Sequence, residues 1–179
     1  DPVIAKVQPI LSPFDHSLEL GTVHLADQSM VEGVMQAAED AQLSWSEYTV
    51  ENRAQILMRC ADLLEENDDI LFATTIMEAG KTIQDAIDEV REAVDFLRYY
   101  ANNAVKTLQN TLLPGPTGEE NRLYYVPTGP TLCISPWNFP IAIFIGQIAG
   151  ALAAGNVVIA KPANQTSICA SEVAKLFEK

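Results

Sequence analysis

Thr131-Leu-Cys-Ile-Ser135 and Val157-Val-Ile-Ala160 are short uncharged runs, and between them Pro140 opens an apolar stretch that reaches Ala154 and closes on Gly155. Proline at the start and glycine just past the end bracket a helix over residues 140–154. The two runs read as buried strands, and residues 167–177 read as another helix. Strand, helix, strand, helix with uncharged strands is the pattern of a parallel sheet covered on both faces, so the fold class is α/β.

Outward from this unit, Pro127-Thr-Gly-Pro130 is a turn, Arg122-Leu-Tyr-Tyr-Val126 favours a strand, and Leu112-Leu-Pro-Gly-Pro-Thr-Gly118 is turn chemistry again. Upstream the period becomes helical. Ser29-Met-Val-Glu32 reads as a capping box for a helix whose apolar face is Met30, Val31, Val34, Met35, Ala38, Ala41 and Trp45. A second helix follows Thr49 and stops near Asn67, with Ala54, Leu57, Cys60, Ala61 and Leu64 on one face. A third covers residues 69–79 and ends at Gly80. A fourth, capped by Thr82, keeps Ile83, Ala86, Ile87, Val90, Val94, Leu97, Ala101 and Ala104 on one side for about six turns.

The chain has 179 residues, 48% of them hydrophobic, and a formal net charge of −13. That composition describes a globular chain with enough residues for a sizeable core. The charge is uneven: residues 1–122 carry 8 basic and 22 acidic side chains, whereas residues 123–179 carry 3 and 2. Such acidity argues against nucleic acid or an anionic membrane surface as partner of this segment. The 38 uncharged residues between Arg122 and Lys161 are no membrane span, because prolines and amides interrupt them and the longest helix-compatible piece falls short of the ~20 residues required. Cys60, Cys133 and Cys169 lie in apolar settings without CxxC spacing, which indicates neither a disulfide framework nor a zinc site and suits a reducing cytoplasm. Asp1 to Gln8 lack the basic and apolar regions of a secretory leader. His16 and His24 have no metal-ligand neighbours in sequence and read as solvated, and no metal site is expected.

Ligands of open parallel sheets bind at the carboxyl ends of the strands. Two such ends exist. At the first, Ser135-Pro-Trp-Asn-Phe-Pro140 holds Asn138 between two prolines ahead of a helix. Asn138 is either a turn residue satisfying nearby backbone or an amide that can donate to a developing oxyanion. At the second, Lys161 is either a surface lysine closing a strand or a contact for nucleotide hydroxyl or phosphate oxygens. No Gly-x-Gly-x-x-Gly follows either strand. Glu89, Glu92 and Asp95 read as a solvated helix face with Arg91 and Arg98.

Several of these segments together resemble one family. Trp45 with Arg53-Ala54, Leu63-Leu-Glu65, Glu78-Ala-Gly-Lys81, Glu89-Val-Arg-Glu-Ala-Val-Asp-Phe96, Tyr99-Tyr-Ala101, Ser135-Pro-Trp-Asn-Phe-Pro140, Ala151-Leu-Ala-Ala-Gly-Asn156 and Lys161-Pro-Ala163 look like the N-terminal part of an aldehyde dehydrogenase. Leu113-Pro-Gly-Pro-Thr-Gly-Glu119 and the run from Cys133 to Gln147 are similar to the L-glutamate γ-semialdehyde (1-pyrroline-5-carboxylate) dehydrogenase module of bifunctional proline utilization A.

The resemblance implies that residues 1–179 are a helical layer plus the first βαβα part of a Rossmann-like NAD-binding domain, with an oligomerisation flap starting in residues 108–126. It implies NAD-dependent oxidation of the semialdehyde to L-glutamate in proline catabolism, through a cysteine thiohemiacetal. By matching position, Asn138 is the oxyanion-hole amide, and Ile134, Ser135, Pro136 and Trp137 line the cofactor cleft. Lys161 holds the adenosine ribose beside Pro162, Ala163 and Asn164, while Glu92 and Phe139 flank the substrate chain.

Two departures from the family stand out. Asn164 occupies a position where the family commonly has Glu; a carboxylate there repels a 2′-phosphate and an amide does not, which leaves NADP open beside NAD. The family's nucleophilic cysteine, general-base glutamate and pyrophosphate loop lie beyond position 179, and none of the three cysteines matches the nucleophile, so these residues alone are expected to be inactive. FAD is expected only if a proline dehydrogenase module accompanies this one. The expected partners are a small aldehyde and, in the full-length protein, further copies of itself. The other readings are an aldehyde dehydrogenase of another substrate class or NADP preference, and a self-associating scaffold without activity.

Overall fold

The computed structural model describes residues 6–179; the leader reading of the first eight residues falls mostly outside them. The described chain opens with an antiparallel hairpin, β1 (Val7–Leu11) and β2 (Glu19–His24). His16 and His24 are both exposed there.

Four helices follow: α1 (Val31–Glu47), α2 (Val50–Glu66), α3 (Asp68–Ala79) and α4 (Ile83–Thr107). Their ends are set by local chemistry. Thr49 Oγ1 accepts from Asn52 N at 3.2 Å and Thr82 Oγ1 accepts from Asp85 N at 3.1 Å, each satisfying an orphan first-turn donor. Gly80 ends α3 in the left-handed region at φ 71°, with its N–H on Ile76 O. The capping box at Ser29 does not form. Asp27 instead caps a 3₁₀ turn over Gln28–Met30, taking the Ser29 N–H at 2.8 Å, because its carboxylate is the stronger acceptor and lies two residues ahead of the donor. The predicted apolar face of α1 is also only partly covered: Ala38 is buried, but Met30, Val31, Val34 and Met35 are exposed, since α1 docks on the body through its second half.

The core lies between α2, α4 and a fifth helix, α5 (Ala142–Ala153). Leu57, Leu64, Leu97, Ile141 and Ile145 are fully buried there. Small residues bring α4 and α5 together. Gly146 and Gly150, one turn apart, leave room for Phe96 and Tyr100, also one turn apart; a methyl group added at Gly146 would come 3.0 Å from the Phe96 ring.

β3 (Thr111–Leu113) pairs antiparallel with β4 (Asn121–Leu123), so strand occupies the first part of what reads as a turn. Tyr124, Tyr125 and Val126 lie outside this ladder and are exposed, because β3 is only three residues long and gives them no partner. β5 (Thr131–Ile134) then pairs parallel with β6 (Val158–Lys161), with α5 between them and α6 (Ser167–Phe177) after a 3₁₀ turn. Helix α5 begins two residues later than the proline implied. Cover lies on one face of this strand pair: Cys133 is buried, whereas Leu132 and Ile134, which alternate to the opposite face, are 58% and 57% exposed. Among the described residues no helix is long and apolar enough to cross a membrane.

The C-terminal end of α5 is tied to the helical layer. Trp45 Nε1 donates to Leu152 O and Arg53 Nε to Ala153 O, both at 3.2 Å, while Gln42 takes the Val157 N–H and donates to Gly155 O, both at 2.8 Å. Arg53 thus supplies a partner to the last carbonyl of α5, where a cation also suits the helix dipole, and Gln42 fixes the chain that leaves the helix.

Candidate functional site at the carboxyl end of the strand pair

Strands β5 and β6 finish side by side. Ile134 lies opposite Lys161 in the register, and the Ser135 N–H donates to Lys161 O at 3.2 Å, extending the pairing one residue past β5. The two candidate strand ends therefore form one place.

From Ser135 the chain turns through Pro136, Trp137, Asn138, Phe139 and Pro140 before entering α5. Ser135 is buried, and its Oγ makes no hydrogen bond among the described residues. Trp137 is 55% exposed, Phe139 is 37% exposed, and Asn138 is exposed beside them. Pro140 is fully buried, which pins the far end of the turn to the core. Across from it Lys161 is exposed with Nζ on Pro162 O at 3.0 Å. Pro162 and Ala163 are half-buried, and Asn164 is exposed at the start of the 3₁₀ turn. The site thus presents an amide, a lysine ammonium and the apolar surfaces of Ile134 and Trp137 to solvent, at the end of the sheet where dinucleotides bind in related architectures.

Beneath the turn lies a pair of charged residues that sequence reasoning missed. Glu89 Oε1 accepts from Ile141 N at 2.8 Å and more weakly from Ala142 N at 3.4 Å, the amides of the cap residue and the first residue of α5. Its Oε2 has no hydrogen bond, but Lys81 Nζ lies 3.2 Å away, and that same Nζ sits 4.2 Å from the centroid of the Phe139 ring. Glu89 is therefore not on a solvated face; its side chain is fully buried. The signal was available: Glu89 stands three residues after Ala86 and four before Ala93, in the middle of the apolar stripe of α4. Glu92, on the same helix, is exposed and makes no hydrogen bond among the described residues. A second glutamate, Glu78 on α3, does for α6 what Glu89 does for α5, accepting from Ile168 N at 2.8 Å and Cys169 N at 2.7 Å.

The three thiols are free and buried. Burial pushes Cys60 up to about 11 and Cys133 upward, and Cys169 rises by burial and then by the charge of Glu78. None has the depressed pKa of an attacking thiolate.

Comparison with known proteins identifies the family. The aldehyde dehydrogenase family model matches residues 4–179. The bifunctional protein PutA of Salmonella typhimurium is 44% identical over 174 residues, which is 97% of this chain and 12% of that protein. The 1-pyrroline-5-carboxylate dehydrogenase of Geobacillus thermodenitrificans is 35% identical over 169 residues, 94% of this chain and 33% of that one. Among solved structures, PutA from Bdellovibrio bacteriovorus superposes with a TM-score of 0.93 at 33% identity, over 97% of this chain and 18% of that one. A Thermus 1-pyrroline-5-carboxylate dehydrogenase with bound NAD gives 0.91 at 37%, over 96% and 34%. The chain thus spans about an eighth of the bifunctional relatives and a third of the shorter ones. A family model matching nearly every residue leads to one conclusion: the chain belongs to the aldehyde dehydrogenase family.

Proposed function

We propose that the protein to which these residues belong oxidises L-glutamate γ-semialdehyde, the open form of 1-pyrroline-5-carboxylate, to L-glutamate with NAD⁺ as acceptor. The observation that carries this reading is the Ser135 N–H to Lys161 O bond, which brings Asn138 and Lys161 to one end of the strand pair. The substrate class rests on relatives that are 1-pyrroline-5-carboxylate dehydrogenases and PutA proteins.

The residues fit a dinucleotide. Ser135 Oγ is a buried hydroxyl without a partner, Ile134 and Trp137 give apolar surface, and the Lys161 ammonium is exposed beside them. In this reading Ile134, Ser135, Pro136 and Trp137 wall the cofactor, and Lys161 donates to ribose oxygens, with Pro162, Ala163 and Asn164 shaping that end. NAD⁺ when bound supplies the hydride acceptor. Asn138 works on the substrate: its side-chain N–H donates to the aldehyde oxygen as thiolate attack turns it into an oxyanion, and holds it while the carbonyl re-forms. The prolines on either side limit how far that amide can stray. Phe139 and Glu92 border the substrate chain.

The attacking thiolate comes from outside these 179 residues, because Cys60, Cys133 and Cys169 are all buried and held protonated. The isolated 179-residue chain is accordingly expected to form no NADH. The exposed apolar residues of the β3–β4 arm and beyond, Leu112, Leu123 and Tyr124 among them, support its role as an oligomerisation flap. One observation favours a second cofactor reading: Asn164 offers no carboxylate against a 2′-phosphate, so NADP⁺ is accepted to a measurable degree.

The test is turnover by the full-length parent protein. NADH formation from glutamate semialdehyde, with L-glutamate as product and kcat/KM well above that for unbranched aliphatic aldehydes, supports the assignment. Turnover of the aliphatic aldehydes without turnover of the semialdehyde overturns it.

A further inference from the structure

Lys81 and Glu89 touch the Asn138 turn on both sides of Pro140. Glu89 Oε1 holds the amide of Ile141, immediately after that proline, at 2.8 Å, and Lys81 Nζ lies 4.2 Å from the ring of Phe139, immediately before it. The two are joined to each other at 3.2 Å, with side-chain exposures of 16% for Lys81 and 0% for Glu89. A buried ion pair adds little net stability over apolar residues of the same volume, so stability alone does not account for it. What the pair supplies and an apolar pair could not is direction. One carboxylate oxygen fixes where α5 begins, and the ammonium fixes the Phe139 ring by a cation–π contact.

We infer that Lys81 and Glu89 are positioning residues for the oxyanion donor: they hold the backbone on either side of Pro140 so that the Asn138 amide meets the reacting carbonyl oxygen. The inference rests on the reading of Asn138 given above. Neither residue touches the reacting atoms. Their effect passes through residues 138–141, and a displacement of about 1 Å in a catalytic group can cost on the order of a hundredfold in rate.

The experiment is a double-mutant cycle in the full-length parent protein, read as kcat, KM for the aldehyde and NAD⁺ affinity. Lys81→Met is expected to lower kcat about tenfold to a hundredfold while KM and NAD⁺ affinity stay within about threefold, and Lys81→Arg is expected to recover most of the loss. Made on an Asn138→Ala background, Lys81→Met should cost less than about threefold, because the group it positions is gone. The same loss of kcat on both backgrounds, or an unchanged kcat in the single variant, overturns the inference. Where Lys81→Met compromises folding, Glu89→Gln carries the same expectation and the same refutation, since it keeps an acceptor for the Ile141 N–H and removes only the ion pair. Full activity in Asn138→Ala alone would remove the oxyanion reading and the positioning role with it, and that outcome is visible in one variant before either charged residue is changed.

Discussion

Glu89 Oε1 accepts a hydrogen bond from Ile141 N at 2.8 Å across 52 positions of sequence, and so caps a helix of the strand-bearing segment with a side chain from the helical layer. Because helix starts leave donors unpaired and carry partial positive charge, a remote carboxylate can serve where the local residue, Pro140-Ile141, has no side-chain acceptor. Glu89→Ala removes that cap and leaves Lys81 without its anion. The expected cost is about 3 kcal/mol of stability, as for breaking a buried ion pair, with Glu89→Gln costing less; denaturant unfolding of the parent protein measures both.

Glu78 makes the corresponding cap on α6 through the amides of Ile168 and Cys169. Glu78→Gln keeps one good acceptor and loses the charge, so it should lower the unfolding free energy by about 1–2 kcal/mol in the same measurement. An unchanged denaturation midpoint would show that α6 does not depend on this carboxylate.

Two glycines give opposite predictions. Gly155 has φ 87°, and an added methyl group would stand 3.3 Å from the Arg53 guanidinium carbon, so Gly155→Ala should destabilise by about 1–2 kcal/mol. Gly33, inside α1, has nothing within 4 Å of an added methyl group, and Gly33→Ala should stabilise by roughly 0.5–1 kcal/mol. Melting temperatures of the two variants moving in the same direction would contradict this account.

The thiols give a pH dependence. Cys60 is pushed up to about 11 by burial, so at pH 8 roughly one molecule in a thousand carries its thiolate. A thiol reagent at that pH should leave Cys60, Cys133 and Cys169 unlabelled in the native protein and label all three after denaturation, as mass spectrometry would read. The sign of the stability effect follows from linkage. The unfolded thiol, near 8.5, ionises before the folded one, so its contribution is intact below that value and declines as pH rises toward the folded value.

Much of this architecture is visible in the sequence because periodicity and caps are local. The starts of α2 and α4 follow from Thr49 and Thr82, and the βαβα segment follows from uncharged strands bracketing a Pro-to-Gly helix. Misses arose where a partner distant in sequence decides. Tyr124 to Val126 find no opposite strand, and the hairpin of β1 and β2 rests on pairing that no short window displays, whereas the capping box at Ser29 fails for a local reason, the carboxylate of Asp27 capping the 3₁₀ turn ahead of α1. In the site, Asn138 and Lys161 stood out as polar residues at strand ends, but Glu89 was grouped with its acidic neighbours. Its burial becomes meaningful only with the amide of Ile141 and the ammonium of Lys81 at hand, although its place on the apolar stripe of α4 was already a hint.

Whether the turn after β5 aims the Asn138 amide at a developing oxyanion is read most directly from kcat for glutamate semialdehyde oxidation by the Asn138→Ala parent protein. Loss of an oxyanion-hole donor costs about 10²–10³ in kcat, so at least about a hundredfold drop is expected with NAD⁺ affinity unchanged. A kcat within about threefold of the unsubstituted protein would contradict an oxyanion role for Asn138.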